Sequence, residues 1–266
     1  MSRIRRPAVA GMFYPSASQE LRTMLQEFLA AAAPAGVAPK ALIVPHAGYI
    51  YSGPVAATAY AQLRAAREEI RRIVLLGPSH RVPFRGLALS SAQVFATPLG
   101  DVPLDLEAAE AVRRLPQVQV LDQAHALEHS LEVQLPFLQE VLDEFTLVPL
   151  VVGDASATEV AEVLEVLWGG PETRIVISSD LSHYHDYETA RRMDAATSRA
   201  IEALEGDAIG YEDACGRIPV TGLLAVARRH GLQAHTLDLR SSGDTAGPRD
   251  QVVGYGAYAF DQPAAH

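Results

Sequence analysis

Ile73-Val-Leu-Leu-Gly-Pro-Ser-His80 is an apolar, β-branched run that ends in turn residues and delivers a histidine. Two other segments repeat the arrangement, Ala41-Leu-Ile-Val-Pro-His46 and Ile175-Val-Ile-Ser-Ser-Asp-Leu-Ser-His183. Short β-rich runs closed by Gly, Pro and Ser read as strands. When such strands alternate with helical patterns they form a parallel sheet, whose carboxyl-end loops meet along one edge and bind ligands there. Three histidines on such loops point to a metal or acid/base site.

The rest of the chain supports that alternation. Residues 17–32 carry Leu21, Met24, Leu25, Phe28 and Leu29 at helical spacing, and residues 33–36 (Ala-Pro-Ala-Gly) stop that helix. Strand 41–45 is followed by a helix over 53–67, and strand 73–77 by short strands at 86–91 and 99–104, then a helix over 105–114. A helix over 128–144 is expected to break or kink at Pro136. Phe145-Thr-Leu-Val-Pro-Leu-Val-Val152 is nearly continuous in apolar residues, as in a strand covered on both faces. Helices at 156–168, 186–205 and 219–230 and strands at 173–178, 233–240 and 251–260 complete the pattern. The expected architecture is α/β: a single domain over 1–266 with a mainly parallel central sheet and helices on both faces.

Composition limits the function classes. The 266 residues carry a formal net charge of −10, which repels polyanions and disfavours nucleic-acid binding. The basic start, Arg3-Ile-Arg5-Arg6, is followed by no long apolar segment and does not read as a signal peptide. No apolar stretch approaches the roughly 20 residues that span a bilayer. The single cysteine, Cys215, permits no intrachain disulfide and fits a reducing, cytoplasmic setting.

Several groups of residues carry chemistry. His46 lies in Pro45-His-Ala-Gly-Tyr-Ile-Tyr-Ser-Gly53, where small residues allow a tight turn and close backbone approach to a ligand. His46 and His80 form a plausible imidazole pair for a transition metal. Cys215, beside Gly216, offers a thiolate as third ligand or serves as a small buried hydrophobe. In Asp122-Gln-Ala-His-Ala-Leu-Glu128-His129-Ser-Leu-Glu132 a helix start can aim a carboxylate and an imidazole at one site, or leave solvated acids at the helix dipole. In Ser178-Ser-Asp180-Leu-Ser-His183, Asp180 either orients His183 or anchors the loop, and His183 is a candidate general acid/base. His185 reads as an exposed loop residue, His230 as a cation at a helix end, and His235 and His266 carry no signal.

Taken together, Pro45-His-Ala-Gly-Tyr with Ser52-Gly53, Gly77-Pro-Ser-His80, Glu128-His-Ser-Leu-Glu-Val-Gln-Leu-Pro-Phe137, Ser178-Ser-Asp-Leu-Ser-His183, Cys215-Gly-Arg-x-Pro219 and the amino-terminal Arg6-Pro-x-Val-Ala-Gly-x-Phe-Tyr-Pro15 resemble the Memo family, also called AmmeMemoRadiSam system protein B. The resemblance runs nearly end to end and keeps the motif order. It implies a fold similar to LigB-type, class III extradiol dioxygenases, in which two histidines and a glutamate hold Fe(II) and another histidine is the acid/base. By that resemblance His46 and His80 are metal ligands, His183 is the acid/base, and Cys215 stands where the dioxygenases have glutamate; in a metal-dependent enzyme built on this site, Asp180, Glu128 and His129 are expected to support catalysis. A thiolate there changes charge and redox tuning, so the resemblance implies a redox or dioxygenase-like role rather than ring cleavage itself. Fe(II) is the first expected cofactor, Cu the second and Zn the third. The expected substrate is a small molecule or a peptide, and AMMECR-type and radical-SAM proteins are candidate partners. A non-catalytic binding or accessory role for the same cleft is the alternative to a metal-dependent oxidoreductase.

Overall fold

In the computed structural model, which describes residues 3–33, 36 and 38–263, the chain enters through the two-residue strand β1 (Ile4–Arg5) and helix α1 (Ser18–Ala31). Strand β2 (Ala41–Val44) leads into α2 (Tyr49–Tyr60), and β3 (Arg72–Pro78) into β4 (Leu87–Leu89), β5 (Val94–Thr97) and β6 (Gly100–Pro103). Helix α3 (Leu106–Arg113), strand β7 (Val118–Val120), the short α4 (Asp122–Ala126) and α5 (Leu135–Val141) precede β8 (Thr146–Val152). Then come α6 (Ala157–Val166), β9 (Thr173–Ser178), β10 (His183–His185), α7 (Tyr187–Glu202), α8 (Arg217–Arg229), β11 (Gln233–Ser241) and β12 (Val252–Asp261).

The large sheet runs β10-β12-β2-β9-β3-β8-β4-β7, with β11 alongside β12. Its centre, β2-β9-β3-β8, is parallel throughout. The flanks are antiparallel where β12 meets β2 and where β4 meets β8, so the sheet is mixed around a parallel core. Side chains alternate along these strands as the pleat requires. Leu42, Val44, Ile73, Leu75 and Val176 pack under α1, α2 and α5, whereas Ile43, Val74, Leu76, Ile175 and Ile177 pack under α3, α6 and α8. The result is an α/β domain with helices on both faces. Strands β1, β5 and β6 form a small separate sheet.

Three differences from the sequence expectation have physical causes. Helix α2 begins at Tyr49, four residues before the expected start at 53, with Gly48 as its N-cap and Pro54 inside it. Gly53 is therefore not a turn residue: a Cβ there would lie 2.5 Å from the Phe28 ring, and its absence lets α1 and α2 approach. The helix expected over 128–144 is replaced by an irregular stretch that follows α4, a 3-10 turn at Glu132–Gln134 and α5. Pro136 sits in the first turn of α5, where a missing N–H costs nothing, so it starts a helix rather than kinking one. Phe95 and its neighbours, expected to link two strands, are themselves strand β5, paired with β6. Pro34 and Ala35 of the expected helix stop, and His266, lie outside the described residues. Among the described residues no helix is long and apolar enough to cross a membrane.

Candidate metal centre

Strand β9 lies between β2 and β3, so the loops after these three parallel strands leave side by side. They carry His46, His80, and Asp180 with His183. The β2 loop places His46 almost wholly out of solvent, at 1% exposure. Its Nδ1 is 2.8 Å from Ser178 Oγ and its backbone N–H donates to Asp180 Oδ1 at 2.7 Å. Its other ring nitrogen, Nε2, lies 3.3 Å from Cys215 Sγ. Burial, with repulsion from His80, His129 and His183, holds the His46 imidazole well below the usual histidine pKa, so it is neutral near pH 7.

His80 is more open, with 29% of its side chain exposed, and is held from behind by Glu128. The Glu128 carboxylate accepts His80 Nδ1–H at 2.8 Å and the His80 backbone N–H at 2.7 Å, and also the N–H groups of His129 and Ser130, each at 3.0 Å. Burial alone would raise the Glu128 pKa, but these donors outweigh it and hold the carboxyl down to about 2. Such a carboxylate–histidine pair fixes which ring nitrogen is free to bind metal. For His80 that nitrogen is Nε2.

His129 stacks on His80 with ring centroids 4.6 Å apart and lies edge-on to His46 at 5.4 Å. Its Nδ1 is buried without a hydrogen bond, 3.4 Å from Glu128 Oε1, and burial lowers its pKa to about 4. His183 donates Nδ1–H to the Leu181 carbonyl at 2.8 Å, which leaves Nε2 as its acceptor. Asp180 makes no hydrogen bond to His183: it anchors the His46 loop and, through its backbone N–H, reaches Cys215 Sγ at 3.3 Å. Burial pushes Asp180 up to about 7, partly opposed by the His46 N–H. Cys215 precedes Gly216, the N-cap of α8, and burial pushes its thiol up to about 12. A cation replacing the thiol proton would reverse that shift.

Among the described residues two groups of three donors are close enough to share one ion, His46/His80/Cys215 and His80/Glu128/His129, with ligand atoms within 4.8 Å in each. The first fits better. Its histidines have Nδ1 engaged from behind, which leaves Nε2 as the ligating nitrogen, and an ion taking the place of the thiol proton would displace only the contact between His46 Nε2 and Cys215 Sγ, whereas both Glu128 oxygens already accept hydrogen bonds that an ion would have to displace. The first group opens onto a cleft of about 760 Å³ lined also by His129, His183, Phe13 and Tyr51, with Tyr184 and Tyr211 at its exposed rim.

The description of Memo-like protein matches residues 5–259. The chain belongs to the Memo family. It is 36% identical over 264 residues to a MEMO1 family protein of Aquifex aeolicus, covering 95% of this chain and 97% of that one. It is 37% identical over 273 residues to a MEMO1 family protein of Archaeoglobus fulgidus, covering 97% and 99%. A MEMO1 family protein of Thermoplasma volcanium is 35% identical over 265 residues, covering 95% and 96%.

In this Memo-family chain the structure thus gathers His46, His80, Cys215, Asp180, His129 and His183 around one cleft, with Glu128 behind it. It does not bring Glu132 there. Glu132 is neither solvated nor aimed at the cleft: it pairs with Arg5 and accepts from Ala8 N–H, Val9 N–H and Tyr14 O–H, tying down the amino-terminal arm. His125 is buried against the Ala88 carbonyl, and His230 pairs with Glu165 while stacking on Trp168. His185 is half-buried in β10 rather than in an exposed loop. Sequence reading missed Ser130, Gln134 and Ser178, which are fully buried behind His46. The only sequence signal for them is polar residues at the end of an apolar strand and inside the Glu128–Phe137 motif.

Proposed function

We propose that this Memo-family protein binds a redox-active transition metal, Fe(II) first and Cu second, through His46, His80 and Cys215, and acts on a small molecule or peptide held in the cleft. The observation that carries the reading is the matched pair of imidazoles, each with Nδ1 held from behind so that Nε2 is the ligating nitrogen, converging with the Cys215 thiol, which lies 3.3 Å from His46 Nε2. Imidazole and thiolate together suit borderline and soft metals. A metal there would supply an electrophilic, redox-active centre open to small ligands from the cleft. Zinc ranks third, because structural zinc takes four closed ligands and this group has three.

The chain's own residues have separate tasks in this reading. His183, held by Leu181, presents Nε2 as a proton acceptor to a molecule in the cleft. Asp180 holds the His46 loop and seats Cys215. Glu128 orients His80 without touching a ligand, and His129 forms a wall against His80 and Phe13. A reducing compartment such as the cytoplasm keeps the lone thiol available.

The test is metal content after anaerobic purification. Wild type is expected to retain close to one equivalent of iron or copper, and His46→Ala and Cys215→Ala to lose it. Unchanged metal in both variants contradicts the proposal. The accessory reading, binding to an AMMECR-type or radical-SAM partner, has support in the exposure of Tyr184 (72%) and Tyr211 (83%) at the rim. In its simplest form it asks the histidines to donate to an anion. The His46 imidazole, neutral and with Nδ1 engaged by Ser178, presents an Nε2 lone pair instead, which favours the metal reading.

A further inference from the structure

Behind His46 lies a chain of hydrogen bonds in which each proton position follows from partners that can only accept. Tyr60, Ser130, Gln134 and Ser178 are all 0% exposed. Gln134 Nε2 is 3.0 Å from the Pro45 carbonyl, which fixes that end of the amide as the donor, and its Oε1 accepts Tyr60 O–H at 2.8 Å. The same Nε2 donates to Ser178 Oγ at 2.8 Å. Ser178 O–H in turn donates to the Ser130 carbonyl at 2.6 Å, a partner that can take a proton and cannot give one. With its only hydrogen committed, Ser178 Oγ can meet His46 Nδ1 at 2.8 Å only as an acceptor.

Ser130 also faces the other histidine. Its hydroxyl donates to the Pro78 carbonyl at 2.9 Å, at the end of β3, and its backbone N–H donates to the Glu128 carboxylate that holds His80. Gly77 is needed beside it, since a Cβ there would stand 2.9 Å from Ser130 Oγ. The seat behind His46 and the seat behind His80 therefore share one buried residue.

We propose that Ser178, seated by Ser130 and Gln134, is a positioning residue that forces His46 into the Nδ1–H tautomer, as Glu128 does for His80, so that both imidazoles are set for ligation before any ion arrives. The tautomer is a property of the metal-free chain, while its consequence for metal affinity rests on the metal reading above. Partners of this kind change metal affinity by about 10–100-fold when removed.

The test uses ¹⁵N-labelled, metal-free protein and long-range ¹H–¹⁵N correlations, which separate the two neutral tautomers. Wild type is expected to show Nδ1–H at both His46 and His80. Ser178→Ala is expected to move His46 toward Nε2–H and leave His80 unchanged, Glu128→Gln to perturb His80 and leave His46 unchanged, and Ser178→Thr to restore the wild-type pattern. Fe(II) affinity, measured anaerobically by competition with a chelator, is expected to fall at least about tenfold in Ser178→Ala and to recover in Ser178→Thr. An Nε2–H tautomer at His46 in wild type overturns the proposal, as does Ser178→Ala with unchanged tautomer and affinity. Wild type that shows Nδ1–H, lost in Ser178→Ala, yet binds no metal would sustain the positioning role and sink the metal reading.

Discussion

His46 and Cys215 meet because a single residue, Gly216, permits it. Gly216 holds the Cys215 loop against β9: a Cβ there would lie 2.6 Å from Ser179 Cβ, and its N–H donates to Ser179 Oγ at 2.9 Å. Gly216→Ala is expected to cost about 1–3 kcal/mol by overpacking, read as a lower denaturant midpoint at unchanged slope. A second residue-level prediction concerns acid. His125 is 2% exposed, its Nε2–H donates to the Ala88 carbonyl at 2.9 Å, and burial lowers its pKa to about 4. The unfolded chain binds that proton near the ordinary value of 6.5, more readily than the folded chain. Stability is therefore undiminished above about pH 6.5 and is lost as pH falls toward 4, by about 3 kcal/mol from this one group. His125→Gln keeps a donor for Ala88 and is expected to flatten the fall in unfolding midpoint between pH 7 and pH 4.5. An equal fall in the variant would assign acid sensitivity elsewhere.

At the scale of elements, the segment from Asp122 to Gln134 gives the clearest view of what a sequence does and does not disclose. Its polar residues were legible as candidates for a site, but a continuous helix would have put Glu128 and Glu132 on one face. Instead Glu128 accepts the N–H groups of His129 and Ser130, which stops helical pairing, and Glu132 turns to the amino-terminal arm. Long-range partners such as Arg5 and His80 decided this, and periodicity carries no trace of them. The strand ends were legible because β2, β3 and β9 are short, apolar and bounded by turn residues. Ser178 and Ser130 were not, since a buried hydroxyl is distinguished only by its partners. Glu132→Ala leaves Arg5 buried and uncompensated, and is expected to cost about 3–5 kcal/mol. Hydrogen exchange should then rise first in residues 5–14. Loss of protection spread evenly over the sheet would contradict the assigned role of Glu132.

At the scale of the molecule, one parallel core of four strands presents three loops to one cleft, and a helical layer packs on each face of that core. A ligand that binds only the folded chain stabilises it by mass action, about 2.7 kcal/mol at a hundredfold excess over its dissociation constant. Fe(II) added anaerobically is accordingly expected to raise the melting temperature of wild type and to leave Cys215→Ala unmoved. Family membership and the α/β frame were readable from motif order and alternation. The division of labour inside the site was not, because it depends on which nitrogen of each ring faces the cleft. The most direct measurement is an anomalous difference map, recorded across the iron and copper edges, from crystals grown anaerobically after metal loading. A single peak among His46 Nε2, His80 Nε2 and Cys215 Sγ is the expected result, and a peak at Glu128 and His129, or none near Cys215, would contradict it.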